Sequence, residues 1–539
     1  LHFDLANLGT INLDFNPAFL SFDEFDSGGE ALVATSFFNV KFDVSGAGPP
    51  SPIPLSPDLV ARIFIDGDAS FEPDDVSSVK VLTDQGPPTG PPKTVWPNEA
   101  LVSPDGVFPF EALVVAQGFL SAPFPGRLTA INVTGGEEYI IDQSVGLGNL
   151  SRAYHNSLFY DMDGDGLLDI ISVRTGERVF PQPKPPTAGE LVWFKNPGLD
   201  NIQQNVGWEE NILVDGLGPD IDVKAYDLDG DGVPEFIATH FFTGDKITIY
   251  GVGEVGKDWT SVVSGDVDIR SVDVSTDQGK PFGIEIVDLD GNGRVDILAT
   301  NHQTDNCAFP ADIPGRVYAI IPPINNDALY DASQWTTRIL LDDIYPQPSL
   351  PGARSSRLAP GKAVTFYPSK QAELENGRPW IVVGGDEAGK VWILRPNPYW
   401  RQSQWSYSIH IIFDINDFYG SDTTQTYLSD KPLITISTIG SIATRYDRKG
   451  DDGMTEIYIP VFEAQDIHVF SFRDSGDSSG TPVKCPKDKR ISCPADSIPG
   501  GGPLMGVRSR SMQVLDKSEE ISPGIYDCDT WDLTAYGHK

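Results

Sequence analysis

One acidic nonapeptide constrains this chain more than any other feature. It reads Asp161-Met-Asp163-Gly-Asp165-Gly166-Leu167-Leu-Asp169 and returns as Asp227-Leu-Asp229-Gly-Asp231-Gly232-Val233-Pro-Glu235 and Asp288-Leu-Asp290-Gly-Asn292-Gly293-Arg294-Val-Asp296. Side-chain oxygens at positions 1, 3 and 5, a glycine at 6 for a sharp turn, a backbone carbonyl at 7 and a carboxylate at 9 can wrap a hard cation with about six or seven oxygens. Without a cation these carboxylates repel one another. The expected ligands are Asp161, Asp163, Asp165, Leu167 and Asp169, then Asp227, Asp229, Asp231, Val233 and Glu235, then Asp288, Asp290, Asn292, Arg294 and Asp296. The residues at position 7 would ligate through their carbonyls, and about three structural Ca2+ ions are expected.

The flanks decide which kind of calcium loop this is. Ser157-Leu-Phe-Tyr160, Val223-Lys-Ala-Tyr226 and Ile284-Glu-Ile-Val287 precede the three loops. Ile170-Ile-Ser-Val173, Phe236-Ile-Ala-Thr239 and Ile297-Leu-Ala-Thr300 follow them. These β-branched and aromatic runs have strand length, so each loop joins two strands of a hairpin, and the helix-flanked EF-hand and dockerin alternatives are excluded.

A third strand carrying an aromatic follows a glycine at Gly189, Gly244, Gly315 and Gly389, and a fourth opens at Trp208, Trp259, Trp335 and Trp405. Four strands per repeat of about sixty residues is the pattern of a propeller blade. The fold class expected is all-β: a seven-bladed β-propeller of four-stranded antiparallel blades with calcium-binding hairpins. Blades are expected near 11–85, 93–147, 155–216, 220–265, 280–343, 360–416 and 433–475, followed by a C-terminal strap at 476–539. The first blade is read as starting at Ile11, and either Leu1–Leu5 or the tail must supply the outer strand of the seventh blade. Pairing of Leu1–Leu5 with a neighbouring molecule would instead polymerise the protein. In blade seven, Asp447 to Glu456 has an insertion and a lysine where an oxygen is needed, and is expected to hold no metal.

Phe282-Gly283-Ile-Glu-Ile-Val-Asp-Leu-Asp-Gly-Asn-Gly-Arg-Val-Asp-Ile-Leu-Ala resembles an FG-GAP (VCBS) repeat, the unit of integrin alpha-subunit propellers. Leu191-Val-Trp-Phe-Lys-Asn-Pro-Gly198 with Trp208 is similar to repeats of aldos-2-ulose dehydratase and of certain seven-bladed lectins. The resemblance implies a propeller and calcium. It does not choose among adhesion, sugar binding and lyase chemistry.

Bulk properties narrow the setting. The chain has 77 acidic and 39 basic residues and a net charge of -38, which repels nucleic acid and anionic membranes. No run is long enough for a membrane-spanning helix, so no membrane insertion is expected. The start at Leu1 is read as a mature terminus left by a signal peptide, and the sequons at Asn132 and Asn149 as glycosylation sites. Cys307, Cys485, Cys493 and Cys528 are disulfide candidates whose pairing stays open. A secreted glycoprotein follows.

By strand alternation the face opposite the calcium hairpins should gather His155, Arg174, His240 and His302 as rim residues. No nucleophile with its base can be read from their spacing, so the expected function is non-catalytic: extracellular adhesion, carbohydrate binding, or assembly of an extracellular structure such as a filament. The partner would be an extracellular protein or carbohydrate, or further copies of the chain. The alternative is a polysaccharide lyase or sugar dehydratase using His155, Arg174, His240 and His302 on that face.

Overall fold

The computed structural model describes residues 3–26, 29–36, 40–43, 51–54, 58–65, 71–72, 75–83, 96–118, 126–143, 152–175, 189–204, 206–304, 313–346, 358–375, 377–397, 405–419, 424–425, 434–435, 438–447 and 453–474. Asn149, all four cysteines and the strap at 476–539 lie outside these residues.

Seven four-stranded antiparallel sheets form a seven-bladed propeller. Their inner strands are Phe19–Phe25, Pro97–Val102, Ala153–Tyr160, Val223–Tyr226, Lys280–Val287, Ala363–Phe366 and Ala443–Tyr446. The inner strands of successive blades touch from blade seven through blade one and on to blade six. Each then passes outward through a hairpin, and the acidic nonapeptides are the first hairpins of blades three, four and five.

The second strands show why these sequences stack as blades. Asp169–Thr175 is buried at every position, as is Glu235–His240, because both faces of the sheet meet a neighbouring blade. Period-two alternation therefore sends adjacent residues to different seams. Ile170 packs toward blade two and Ile171 toward blade four; Ile297 packs toward blade four and Leu298 toward blade six. Seven apolar clusters fill the seven seams, so the core is distributed around the ring. The repeated tryptophans serve these seams: Trp193 and Trp259 share the cluster between blades three and four, and Trp335 lies between four and five.

Two sequence readings are corrected. Ile11 does not begin blade one; it lies in Phe3–Asn12, which pairs antiparallel with Asp466–Asp474 as the outermost strand of blade seven. The N-terminal segment therefore closes the ring, and Ile11 is buried between blades seven and one. Trp259 does not open an outer strand. Asp258 caps Ser261 N–H and starts the short helix Trp259–Val263, whose buried indole donates to the carbonyl of Pro234 at 2.8 Å. The outer strand of blade four is Ile269–Ser275, beyond the expected boundary at 265.

Because residues 3–12 satisfy the ladder groups of the last strand, their loss frees a sheet edge. Deleting residues 1–12 should abolish the cooperative melt or produce edge-paired oligomers in size-exclusion chromatography. Ile11→Ala should cost about 2–5 kcal/mol in urea denaturation; a loss below about 0.5 kcal/mol would show the closing strand to be dispensable.

Candidate functional site

The three acidic hairpins share one geometry. The position 1 carboxylate accepts the N–H groups of positions 4 and 6: Gly164 and Gly166 on Asp161 at 2.8 and 3.0 Å, Gly230 and Gly232 on Asp227 at 2.7 and 2.8 Å, Gly291 and Gly293 on Asp288 at 2.8 and 2.7 Å. Both glycines of each loop have positive φ, between 73° and 89° across the three, which explains why position 4 needs glycine as much as position 6. The position 9 carboxylate turns back to accept the N–H of position 2 in every copy, at 3.0, 2.9 and 3.1 Å.

These bonds converge three carboxylates per loop. Ligand atoms of Asp161, Asp163 and Asp169 lie within 4.8 Å of one another, as do those of Asp227, Asp229 and Glu235, and those of Asp288, Asp290 and Asp296. The position 5 carboxylates of Asp165 and Asp231 are not in these groups. The side chains of Asp165, Asp231 and Asn292 accept the N–H of Leu167, Val233 and Arg294 at 2.9, 2.8 and 2.8 Å. Burial raises the carboxyl of Asp169 to about 6, and those of Glu235 and Asp296 to about 7, with the neighbouring loop carboxylates adding to the rise. Buried, mutually repelling hard oxygens on a fixed turn suit a divalent cation, so the three clusters could hold metal ions.

The loops differ in their counter-charges. In blade three, the ammonium of Lys195 bonds Asp163 and lies 2.9 Å from Asp165. In blade four the nearest such charge, Arg270, stands 3.7 Å from Asp229. A lysine seated on two of the oxygens competes with a cation for them.

A second charged assembly, missed at the sequence level, crosses the central channel. The Lys362 ammonium, from blade six, bonds Glu99 of blade two and lies 3.1 Å from Asp222 at the head of blade four. Asp222 also takes the amide of Asn156 and, at 3.0 Å, the N–H of Ile284. Burial works to raise the Asp222 carboxyl, but Lys224, Lys362 and the Ile284 N–H together hold it below the usual range. Gly283 makes room: a methyl there would meet Cγ of Lys362 at 2.6 Å. Beside this hub the Phe282 ring packs on His302 at 3.7 Å between centroids and edge-on to His155 at 5.9 Å. A lysine after Gly361 and an aspartate before a strand carry no motif, so the sequence gives no signal for this hub.

The four residues read as rim candidates are buried. His155 and His302 meet on Phe282, and burial lowers both imidazoles to about 3. His240 lies in blade four, with Nε2 3.0 Å from the Tyr250 hydroxyl, Nδ1 3.2 Å from Thr243 and a pKa lowered to about 4 by burial. Arg174 lies at the seam of blades two and three, fully buried, donating to Glu190 at 2.7 Å, to Glu210 at 2.8 and 2.9 Å and to the Tyr154 hydroxyl at 2.8 Å. The structure therefore brings His155 and His302 together on Phe282, while His240 and Arg174 are each held by other partners. Inward-facing strand ends, which sequence alternation cannot tell from rim positions, are the physical reason.

No family model matches the chain, and no curated protein does. Among solved structures it is similar to the NanB sialidase of Streptococcus pneumoniae, at 8% identity and TM-score 0.32 over 87% of this chain and 70% of that one. It is also similar to Pseudomonas fluorescens PhoX in complex with vanadate, at 9% and 0.30 over 87% and 94%. The exotype rhamnogalacturonan lyase YesX aligns at 11% and 0.26 over 86% and 90%. Likeness this distant carries no functional argument. The chain's own topology defines its class, a seven-bladed β-propeller with three acidic hairpins able to hold metal ions.

Two predictions concern the hairpins. Asp169, Glu235 and Asp296 bind protons more tightly folded than unfolded, so the stability they contribute to the metal-free protein is present at low pH and lost as pH rises through about 6 to 7. Cation binding needs the ionised forms. The melting-temperature gap between cation-loaded and chelated protein should therefore widen from about pH 5 to about pH 8, and a constant gap would refute the assignment. Replacing Lys195 by Met should tighten the blade-three site by roughly tenfold in calorimetric titration, leaving the other two unchanged.

Proposed function

We propose that this chain is a secreted, calcium-stabilised propeller of the FG-GAP (VCBS) kind that acts as a non-catalytic extracellular binding protein for carbohydrate. The observation that carries this reading is the repetition of one three-carboxylate cluster in three successive blades, with the same backbone turn each time. Calcium favours oxygen ligands on flexible loops and is abundant outside cells, where weak sites of this kind fill. Its role here is structural: it neutralises and pins hairpins on one face.

Binding is favoured over catalysis by the fate of the expected catalytic set. Arg174 is consumed by Glu190, Glu210 and Tyr154, and His240 by Tyr250 and Thr243. Glycosylation at Asn132 accords with its place at the turn after Arg127–Asn132, where its side-chain oxygen accepts the N–H groups of Thr134 and Gly135, both at 3.0 Å. The strong negative charge accords with carbohydrate or protein partners rather than nucleic acid.

One observation favours the enzyme reading. Asp386, a non-glycine residue at φ 48°, has a carboxyl raised to about 8 by burial and by Glu463, and lies 3.8 Å from Nε2 of His302. Such a group could exchange a proton with a sugar acid.

Metal analysis of native protein should find about three calcium ions per chain, and chelation should lower the melting temperature, since each site at hundredfold excess over its Kd contributes about 2.7 kcal/mol. A glycan array should give calcium-dependent binding. Unsaturated-uronide absorbance on incubation with polyuronides, lost in Asp386→Asn, would replace this reading with the lyase.

A further inference from the structure

Inside the channel, next to the Lys362 hub, lies a cavity of about 320 Å³. Hub residues Glu99 and Lys362 line it, and the rest of the lining continues along the inner strands. Lys224 comes two positions after Asp222, Glu285 two after Gly283 and Val364 two after Lys362, and Phe19 to Phe22 of blade one join them. In blades four and five the inner strands run on from here into the acidic hairpins, so the cavity sits on the hairpin side of the hub. The expected ligand face was the opposite one.

The lining is not that of a packing void, since voids that stay empty are apolar. Lys224 is partly exposed and ion-paired with Asp222 at 3.6 Å, outside hydrogen-bond distance, so its ammonium can still donate to a ligand. Glu285 is anchored by the N–H and hydroxyl of Thr365, at 2.8 and 2.5 Å, and each of its oxygens keeps accepting capacity. Phe19, Phe22, Ile284 and Ile442 provide an apolar wall.

We infer that this cavity binds one neutral sugar ring, with Lys224 donating to ring hydroxyls, Glu285 accepting from them and the apolar wall covering the ring's C–H face. The volume is at the lower end of ligand sites and suits a monosaccharide. Charge selects the neutral form. The charges lining the cavity balance, Lys224 and Lys362 against Glu99 and Glu285, and Asp222 behind the two ammoniums adds a negative charge, so no net positive charge draws a uronate into a chain that is already at -38. This site deepens the carbohydrate-binding reading above and rests on it.

The test is ligand-observed NMR on the calcium-loaded full chain with glucose, galactose, mannose, rhamnose and N-acetylglucosamine, with galacturonate as the charged arm. At least one neutral sugar should bind saturably, and galacturonate roughly tenfold more weakly or not at all. Lys224→Met should weaken binding by roughly tenfold or more. Thr444→Phe, which puts a ring into the cavity from blade seven and keeps both Lys224 and Glu285 in the sequence, should abolish it. Both variants should keep the wild-type calcium-dependent melting shift, which separates failure of this site from failure of the calcium reading. No saturable binding by any neutral sugar, binding unchanged in Thr444→Phe, or preference for galacturonate would each overturn the inference. If glycan-array binding persists while the cavity variants have no effect, carbohydrate binding stands and this location falls.

Discussion

Everything in this molecule depends on a circle being closed. Residues 3–12 hydrogen-bond to residues 466–474, so the first strand of the chain completes the last blade. A stack of blades with apolar faces on both sides has no stable linear form, because each terminal blade would expose one seam to water. Closure converts two exposed faces into the seam that buries Ile11, Leu20, Tyr458 and Ile467 together. It also forces seven inner strands around one axis, which is what brings Glu99, Asp222 and Lys362 from blades two, four and six within reach of one another.

The channel therefore carries buried charge at its centre, with apolar side chains packed beside it. Buried ion pairs gain little net stability when desolvation is counted, yet breaking one leaves an uncompensated charge. Lys362 answers this with two carboxylates, and Asp222 with Lys362, an amide and a backbone N–H. The hub so held separates the aromatic cluster of His155, Phe282 and His302 from the cavity beside Lys224. Farther along the same strands, the acidic hairpins concentrate negative charge that the chain relieves most directly in blade three, through Lys195, and at 3.7 Å in blade four, through Arg270.

Local chemistry was legible wherever it is repeated. The nonapeptide's donors, its glycines and its strand-length flanks each follow from a few adjacent residues, and the hairpins formed as the pattern requires. Trp259 was misread because a tryptophan at a repeat position looks like the start of an outer strand. Asp258 one residue earlier is an equally local signal, and its cap to Ser261 won. Ile11 was misread because an alternating strand does not announce which end of the chain it will pair with. Period-two alternation gives a direction but not a depth, so it points the histidines and Arg174 at a rim although they are buried.

The sequence by itself determined the propeller class, the number of blades and the three carboxylate clusters, since these need only short-range patterns that recur. Tertiary structure alone decided that the N-terminus closes the ring, that Gly283 clears a path for Lys362, and that Lys224 and Glu285 face a common cavity. Those contacts join residues separated by tens to hundreds of positions, and such partners share no pattern until the closed ring brings their strands side by side.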